Sequence, residues 1–169
     1  MYKKLILILV VILFSACSSI INKETLQLPS NKSYAIGSFW NYTETPMAGL
    51  RASSIVESVL AKEAIEIKSL IDGSDEMGEA KSKQSFLTMK KDEAKASGAE
   101  YLITGDVQEW RYKTGIDGEP VVSYSIKVID LTSDKVIYSS VGAKSGWGHK
   151  SIGVVAQEIA KELIPNFIP

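Results

Sequence analysis

The sequence predicts an α/β (α+β) domain: a mixed β-sheet with an antiparallel three-stranded meander packed by helices, in the order β-α-β-α-β-β-β-α. Three observations carry this expectation. Ala52, Ile55, Val56, Val59 and Leu60 recur at helical spacing, as do Ile152, Val155, Ala156, Ile159 and Leu163. Between residues 101 and 143 three segments alternate with a period of two and are joined by short, turn-like links. Helices that expose one apolar stripe and strands that expose one apolar face bury them against each other, which gives a layered sandwich.

Taken in order, Tyr34, Ile36 and Phe39 mark a first strand that ends near Trp40. The loop Asn41-Tyr42-Thr43-Glu44-Thr45-Pro46 follows, with Thr45 expected as N-cap and Pro46 at the first helical position. A helix is expected over residues 47–62. Ile65, Ile67 and Leu70 then alternate in a second strand over 64–71, and Asp72-Gly73-Ser74-Asp75 is loop chemistry. Residues 79–97 are rich in Lys, Glu, Ala and Ser, with only Phe86, Met89 and Ala94 as an apolar stripe. This predicts a helix lying on the surface, stopped by Gly98. The meander strands are expected over 101–113, 120–131 and 135–143, with turns at Asp117-Gly118 and Thr132-Ser133-Asp134. In the middle strand Val122, Tyr124, Ile126 and Val128 share one face, and Val121, Ser123, Ser125 and Lys127 the other. The last helix ends near Pro165.

The start of the chain has a different character. Met1-Tyr2-Lys3-Lys4 precedes an unbroken apolar run over residues 5–14, and Ser15-Ala16-Cys17 follows. A basic start, a short apolar run and small residues before a cleavage site predict a secretory signal over 1–16. Ten helical residues rise about 15 Å, roughly half a bilayer core, too short for a permanent span. Phe14-Ser15-Ala16-Cys17 resembles the lipobox of bacterial lipoproteins, although that family usually carries Leu where Phe14 stands. The resemblance implies acylation of Cys17, and Ser18 in place of the Asp that retains such proteins at the inner membrane points to the outer membrane. Residues 17–32 are then expected to form a lipidated tether, and 33–169 a single periplasmic domain.

Composition narrows the chemistry. Cys17 is the only cysteine, so a lipidated chain has no thiol left for disulfides, metal or nucleophilic catalysis. Removing Lys3 and Lys4 from 19 basic residues leaves 17 against 20 acidic ones, a net −3. A mildly acidic domain is a poor partner for a phosphate backbone, so nucleic acid is not expected. His149 is the only histidine, and no G-x-S-x-G elbow frames a serine. No second His stands at metal spacing and no Gly-rich phosphate loop is present, so neither metal nor cofactor is expected. His149 is expected to cap or flank the last helix. Asp117 and Glu119 share the hairpin tip Gly115-Ile116-Asp117-Gly118-Glu119-Pro120, but one turn does not build the cleft that a glycosidase pair requires. Trp110 lies on a strand, where core or subunit packing is expected. Trp147 lies between glycines in Ser145-Gly146-Trp147-Gly148, where an indole suits a partner or a lipid interface as well as ordinary packing.

Glu109-Trp110-Arg111-Tyr112-Lys113-Thr114-Gly115-Ile116-Asp117-Gly118-Glu119-Pro120 resembles the signature of the PelC family, outer-membrane lipoproteins of Pel exopolysaccharide export. Asn41-Tyr42-Thr43-Glu44-Thr45-Pro46-Met47-Ala48-Gly49-Leu50, Thr104-Gly105-Asp106-Val107 and Gly142-Ala143-Lys144-Ser145-Gly146-Trp147 are similar too. The resemblance implies a CsgG-like, TolB N-terminal-like sandwich and a dodecameric ring under a β-barrel exporter, PelB. It further implies an acidic funnel for a cationic amino-sugar polymer. On that basis Cys17 is the anchor, Asp117 and Glu119 are pore candidates, Trp147 and Trp110 are membrane or interface candidates, and Arg111 is an inter-subunit or structural candidate. Two alternatives differ in class. A lipoprotein that activates a wall-synthesis enzyme needs a longer tether than residues 18–32. A carbohydrate-active enzyme would rest on Asp117 and Glu119.

Overall fold

A computed structural model describes residues 18–21, 27–63, 65–77, 82–115, 118–147, 149–164 and 166–168. The expected leader 1–16 and Cys17 lie outside the described residues. The strands are β1 (Ser18–Ile21), β2 (Gln27–Pro29), β3 (Ser33–Gly37), β4 (Trp40–Asn41), β5 (Glu66–Leu70), β6 (Tyr101–Tyr112), β7 (Pro120–Asp130), β8 (Lys135–Ser145) and β9 (Asn166–Ile168). The helices are α1 (Ala48–Leu60), a single turn α2 (Ser74–Met77), α3 (Lys83–Ala96) and α4 (Ile152–Leu163).

One mixed sheet carries the fold, in the order β1-β8-β7-β6-β3-β5, with the short β4 beside β6. β6, β7 and β8 form the expected antiparallel meander, while β3 lies parallel to both β5 and β6. The parallel contacts need crossovers, which α1 and α3 supply. A Cβ at Gly105 in β6 would lie 2.0 Å from the Ser125 carbonyl oxygen and 2.7 Å from the Phe39 ring, so only glycine lets β6, β7 and Phe39 meet.

The two sheet faces are covered differently. α1 and α4 pack together on one face over Ile36, Ile103, Val107, Val122, Tyr124, Ile126 and Val128, all buried. α3 covers part of the other face, over Ala35, Leu102 and Ile129. Its start is fixed by Ser82, whose hydroxyl accepts from the Ser85 N–H while the Ser82 N–H donates to Ser85 Oγ. Gly98, with φ +79°, ends it as expected.

Two expectations are corrected. Thr45 does not cap α1, because its hydroxyl donates to the Trp110 carbonyl at 2.5 Å and ties the loop to β6. Met47, with φ 61°, stands at the cap position instead, and Pro46 precedes the helix. The segment read as a tether contains β1, paired antiparallel with β8, and β2, paired parallel with the C-terminal β9. These strands hold through partners distant in sequence, and such short runs show no period of their own.

Candidate functional site

The ends of β6, β7, β8 and β1 meet at one margin of the sheet. Tyr112 pairs with Pro120, Val121 with Ser145, and Ser18 with Lys144, so the hairpin between β6 and β7, the loop after β8 and the start of β1 are neighbours. The Gly146 N–H donates to the Pro120 carbonyl at 2.8 Å, and a Cβ there would lie 2.8 Å from Val155. Glycine therefore lets this loop hug the sheet end, and it presents Trp147 with 47 % of its surface exposed. Tyr112 and Val154 are exposed at the same margin, and the Ile152 N–H donates to the Tyr112 hydroxyl. Residue Ser18, which follows the expected acylation site, thus starts three positions in register from Trp147.

On the hairpin, Gly118 takes φ +49°, the turn geometry expected of Asp117-Gly118. Asp117 lies outside the described residues. Glu119 reaches back across the hairpin to Lys113, Nζ to Oε2 at 2.8 Å, so its charge is locally balanced. Arg111 is exposed and paired with Glu109 at 2.7 Å, not locked into the core. Trp110 is buried in the core, as one of its two readings expected, and its indole N–H has no hydrogen-bond partner among the described residues. His149 is exposed two residues before Ser151, whose hydroxyl caps α4 by accepting from the Val154 N–H. The histidine flanks the helix, and the serine caps it.

A groove of about 480 Å³ opens beside these residues, between the 42–45 loop and the end of β6. The loop is tied internally. Asn41 Oδ1 accepts from the Thr43 N–H and hydroxyl at 2.9 and 2.8 Å, and Asn41 Nδ2 donates to the Thr45 carbonyl. The Tyr42 N–H donates to the Val107 carbonyl, continuing the β4 pairing.

Beneath α3 the structure assembles charges that the sequence reading passed over. Asp106 is 4 % exposed and accepts from Lys83 and Lys127, each at 2.7 Å, while its N–H donates to Ser125 Oγ. Burial pushes its carboxyl up, but the two ammoniums outweigh that and hold it below its ordinary value. Lys83 also sits 5.3 Å from the centroid of the Tyr42 ring. These groups line a small cavity of about 130 Å³ with Trp40, Phe86 and Ile129. Farther along, Lys90 is 1 % exposed and pairs with Asp75 and Glu93 at 2.8 Å, and donates to the Leu70 carbonyl. Ser38 donates to Asp75. The available signal was position: Asp106 and Lys127 fall on the face opposite Val107 and Val128, the face that α3 partly covers. Among the described residues no three His, Cys, Asp or Glu side chains form a metal site, and no helix is long and apolar enough to cross a membrane.

Comparison with solved structures adds relatives to this geometry. A PelC dodecamer from Paraburkholderia phytofirmans is similar at 30% identity and TM-score 0.70, with 87% of this chain and 95% of that one covered. A point variant of that dodecamer gives 29% identity and TM-score 0.69 over the same shares. Lipoprotein GNA1162 from Neisseria meningitidis shares the fold at TM-score 0.59 and 11% identity, covering 78% of this chain and 96% of that one. No family model and no curated protein matches the chain.

Proposed function

The chain belongs to the PelC family, and from that premise we propose that it is a lipid-anchored ring subunit that guides a cationic exopolysaccharide to an outer-membrane exporter. The supporting observation is the shared sheet margin: the start of β1, the exposed Trp147 and the strand ends Tyr112 and Pro120 that flank the β6–β7 turn all lie at one end of the sheet. Cys17 directly precedes Ser18 in sequence, so a lipid there would enter the membrane near that end. An indole such as Trp147 is suited to the headgroup level, apolar in body and polar at its N–H. Two or more acyl chains at Cys17 would hold the domain stably, where one holds it only marginally.

A single exposed carboxylate attracts an ammonium weakly, because salt screens it beyond about 8 Å. A closed ring, as in the Paraburkholderia dodecamer, repeats the acid around an axis and focuses the field between low-dielectric walls. Weak, repeated contacts let a polymer slide without sticking. Glu119 is balanced by Lys113, so we assign the guiding charge of the tip to Asp117. The ring would stand on the periplasmic face of the outer membrane, under a PelB-like β-barrel, and would take a partly deacetylated amino-sugar polymer. It acts by guiding and not by catalysis. An enzyme activator working across the periplasm is less well supported, because β1 pairs four of the expected tether residues with β8.

The test is secreted polymer from cells carrying Asp117→Ala, alongside the mass of the detergent-solubilised protein by light scattering. A ring-sized particle with polymer export sharply reduced by Asp117→Ala is expected. Unchanged export removes Asp117 from the guiding role, and a monomer in detergent and in membranes removes the ring.

A further inference from the structure

A groove lies between the 42–45 loop and β6, lined by residues that the guiding reading does not use. Its loop is tied by hydrogen bonds through Asn41, Thr45 and the Tyr42 backbone. Tyr42 is 57 % exposed, so the loop holds an aromatic ring in solvent instead of packing it into the core. That ring is braced by the edge of Trp40, 6.2 Å between centroids, and by Lys83, which Asp106 fixes in turn. The buried carboxylate thereby acquires a purpose beyond packing, as the root of a chain of contacts that ends at Tyr42.

The groove's chemistry is polar with one aromatic platform. Gln108, Ser123 and Arg111 supply donors, and Glu109 is balanced by Arg111. Glu44 is exposed and makes no ion pair among the described residues, which leaves one surplus negative charge. A volume of about 480 Å³ lies within the range of small-ligand sites. Strand addition along β6 is disfavoured, because the Thr45 hydroxyl already occupies the Trp110 carbonyl.

We infer that this groove binds a pyranose bearing a free amine, with the sugar face on Tyr42, the ammonium at Glu44 and hydroxyls toward Gln108, Ser123 and Arg111. The inference rests on the polymer-guiding reading for its choice of sugar, and it adds a holding point distinct from the Asp117 tip. Each contact is weak. Repetition around a ring would raise the effective affinity for a polymer without any new contact.

The full-length lipidated protein in detergent, titrated with a glucosamine tetramer and followed by calorimetry, tests it. Expected is saturable binding that weakens about three- to tenfold in Tyr42→Ala and is retained in Tyr42→Phe. Glu44→Gln should weaken the glucosamine tetramer but not its N-acetylated counterpart. No binding of the glucosamine tetramer overturns the inference, as does binding that Tyr42→Ala leaves unchanged. If Asp117→Asn abolishes tetramer binding while Tyr42→Ala does not, the groove is overturned and the export reading stands. If Tyr42→Ala abolishes binding while Asp117→Ala leaves secretion unchanged, the groove stands and the funnel fails.

Discussion

The two faces of the central sheet are held by different physics. Under α1 and α4 the contacts are aliphatic and aromatic, and the polar atoms that enter find backbone partners: the Tyr124 hydroxyl donates to the Ala156 carbonyl at 2.7 Å, and the Tyr138 hydroxyl to Leu163 at 2.5 Å. Burial raises both phenols above their ordinary range, so they remain neutral donors at any physiological pH. Under α3 the apolar cluster is small, and two ion networks lie beside it, one around Lys90 and one around Asp106 that borders the small cavity. Apolar burial degrades gradually as atoms are removed, roughly in proportion to area. A buried ion pair fails abruptly, because removal of one partner strands the other.

The contrast can be broken most forcefully at Lys90. Lys90→Ala leaves Asp75 buried and uncompensated, and urea unfolding should show a loss of about 3–5 kcal/mol. A loss under about 1 kcal/mol would show that water reaches Asp75 freely. Asp106→Asn comes next, with a loss of about 1–3 kcal/mol from charge-assisted bonds to Lys83 and Lys127. Its size should depend on pH. The folded carboxyl titrates below its unfolded value of about 3.9, so the stabilisation is complete above that value. It is lost as pH falls through the folded value. The gap between wild type and Asp106→Asn should therefore narrow below about pH 4, and a gap that stays constant to pH 2 would contradict the ion network. Smallest is Ile126→Val on the opposite face, about 0.5–1.5 kcal/mol, equal at pH 3 and pH 7. A pH-dependent Ile126→Val would mean that the two faces are coupled.

The same contrast explains what could be read from the sequence. The α1 and α4 face announces itself, since Val122, Tyr124, Ile126 and Val128 alternate and Ile152, Val155, Ile159 and Leu163 recur every three or four residues. The meander was legible for that reason, with β7 and β8 within two residues of expectation at each end. The α3 face was not. Its members are a lysine in a polar helix and an aspartate in a strand, legible only by position: Lys90 stands four residues from both Phe86 and Ala94, and Asp106 on the face of β6 opposite Val107. Lys90 belongs to a helix expected on the surface, yet it lies on the buried stripe of α3 with Phe86 and Ala94, against Asp75 of α2. β1, β2 and β9 were missed because short strands are defined by their partners. Trp147 was legible as an aromatic between glycines, but its nearness to the start of β1 depends on a pairing between residues more than a hundred positions apart.

The pairing of Ser18–Ile21 with β8 has a mechanical side. If Cys17 is held in a bilayer, any tug on the domain is delivered at Ser18, and one component of it runs along the axis of β1. A pull in that direction loads the bonds of the strand together in shear, where a crosswise pull would open them one after another. The anchor would then behave less like a leash than like a rivet. It would fix the tilt of each subunit against the membrane and pass lateral stress directly into the strand from which the Trp147 loop emerges.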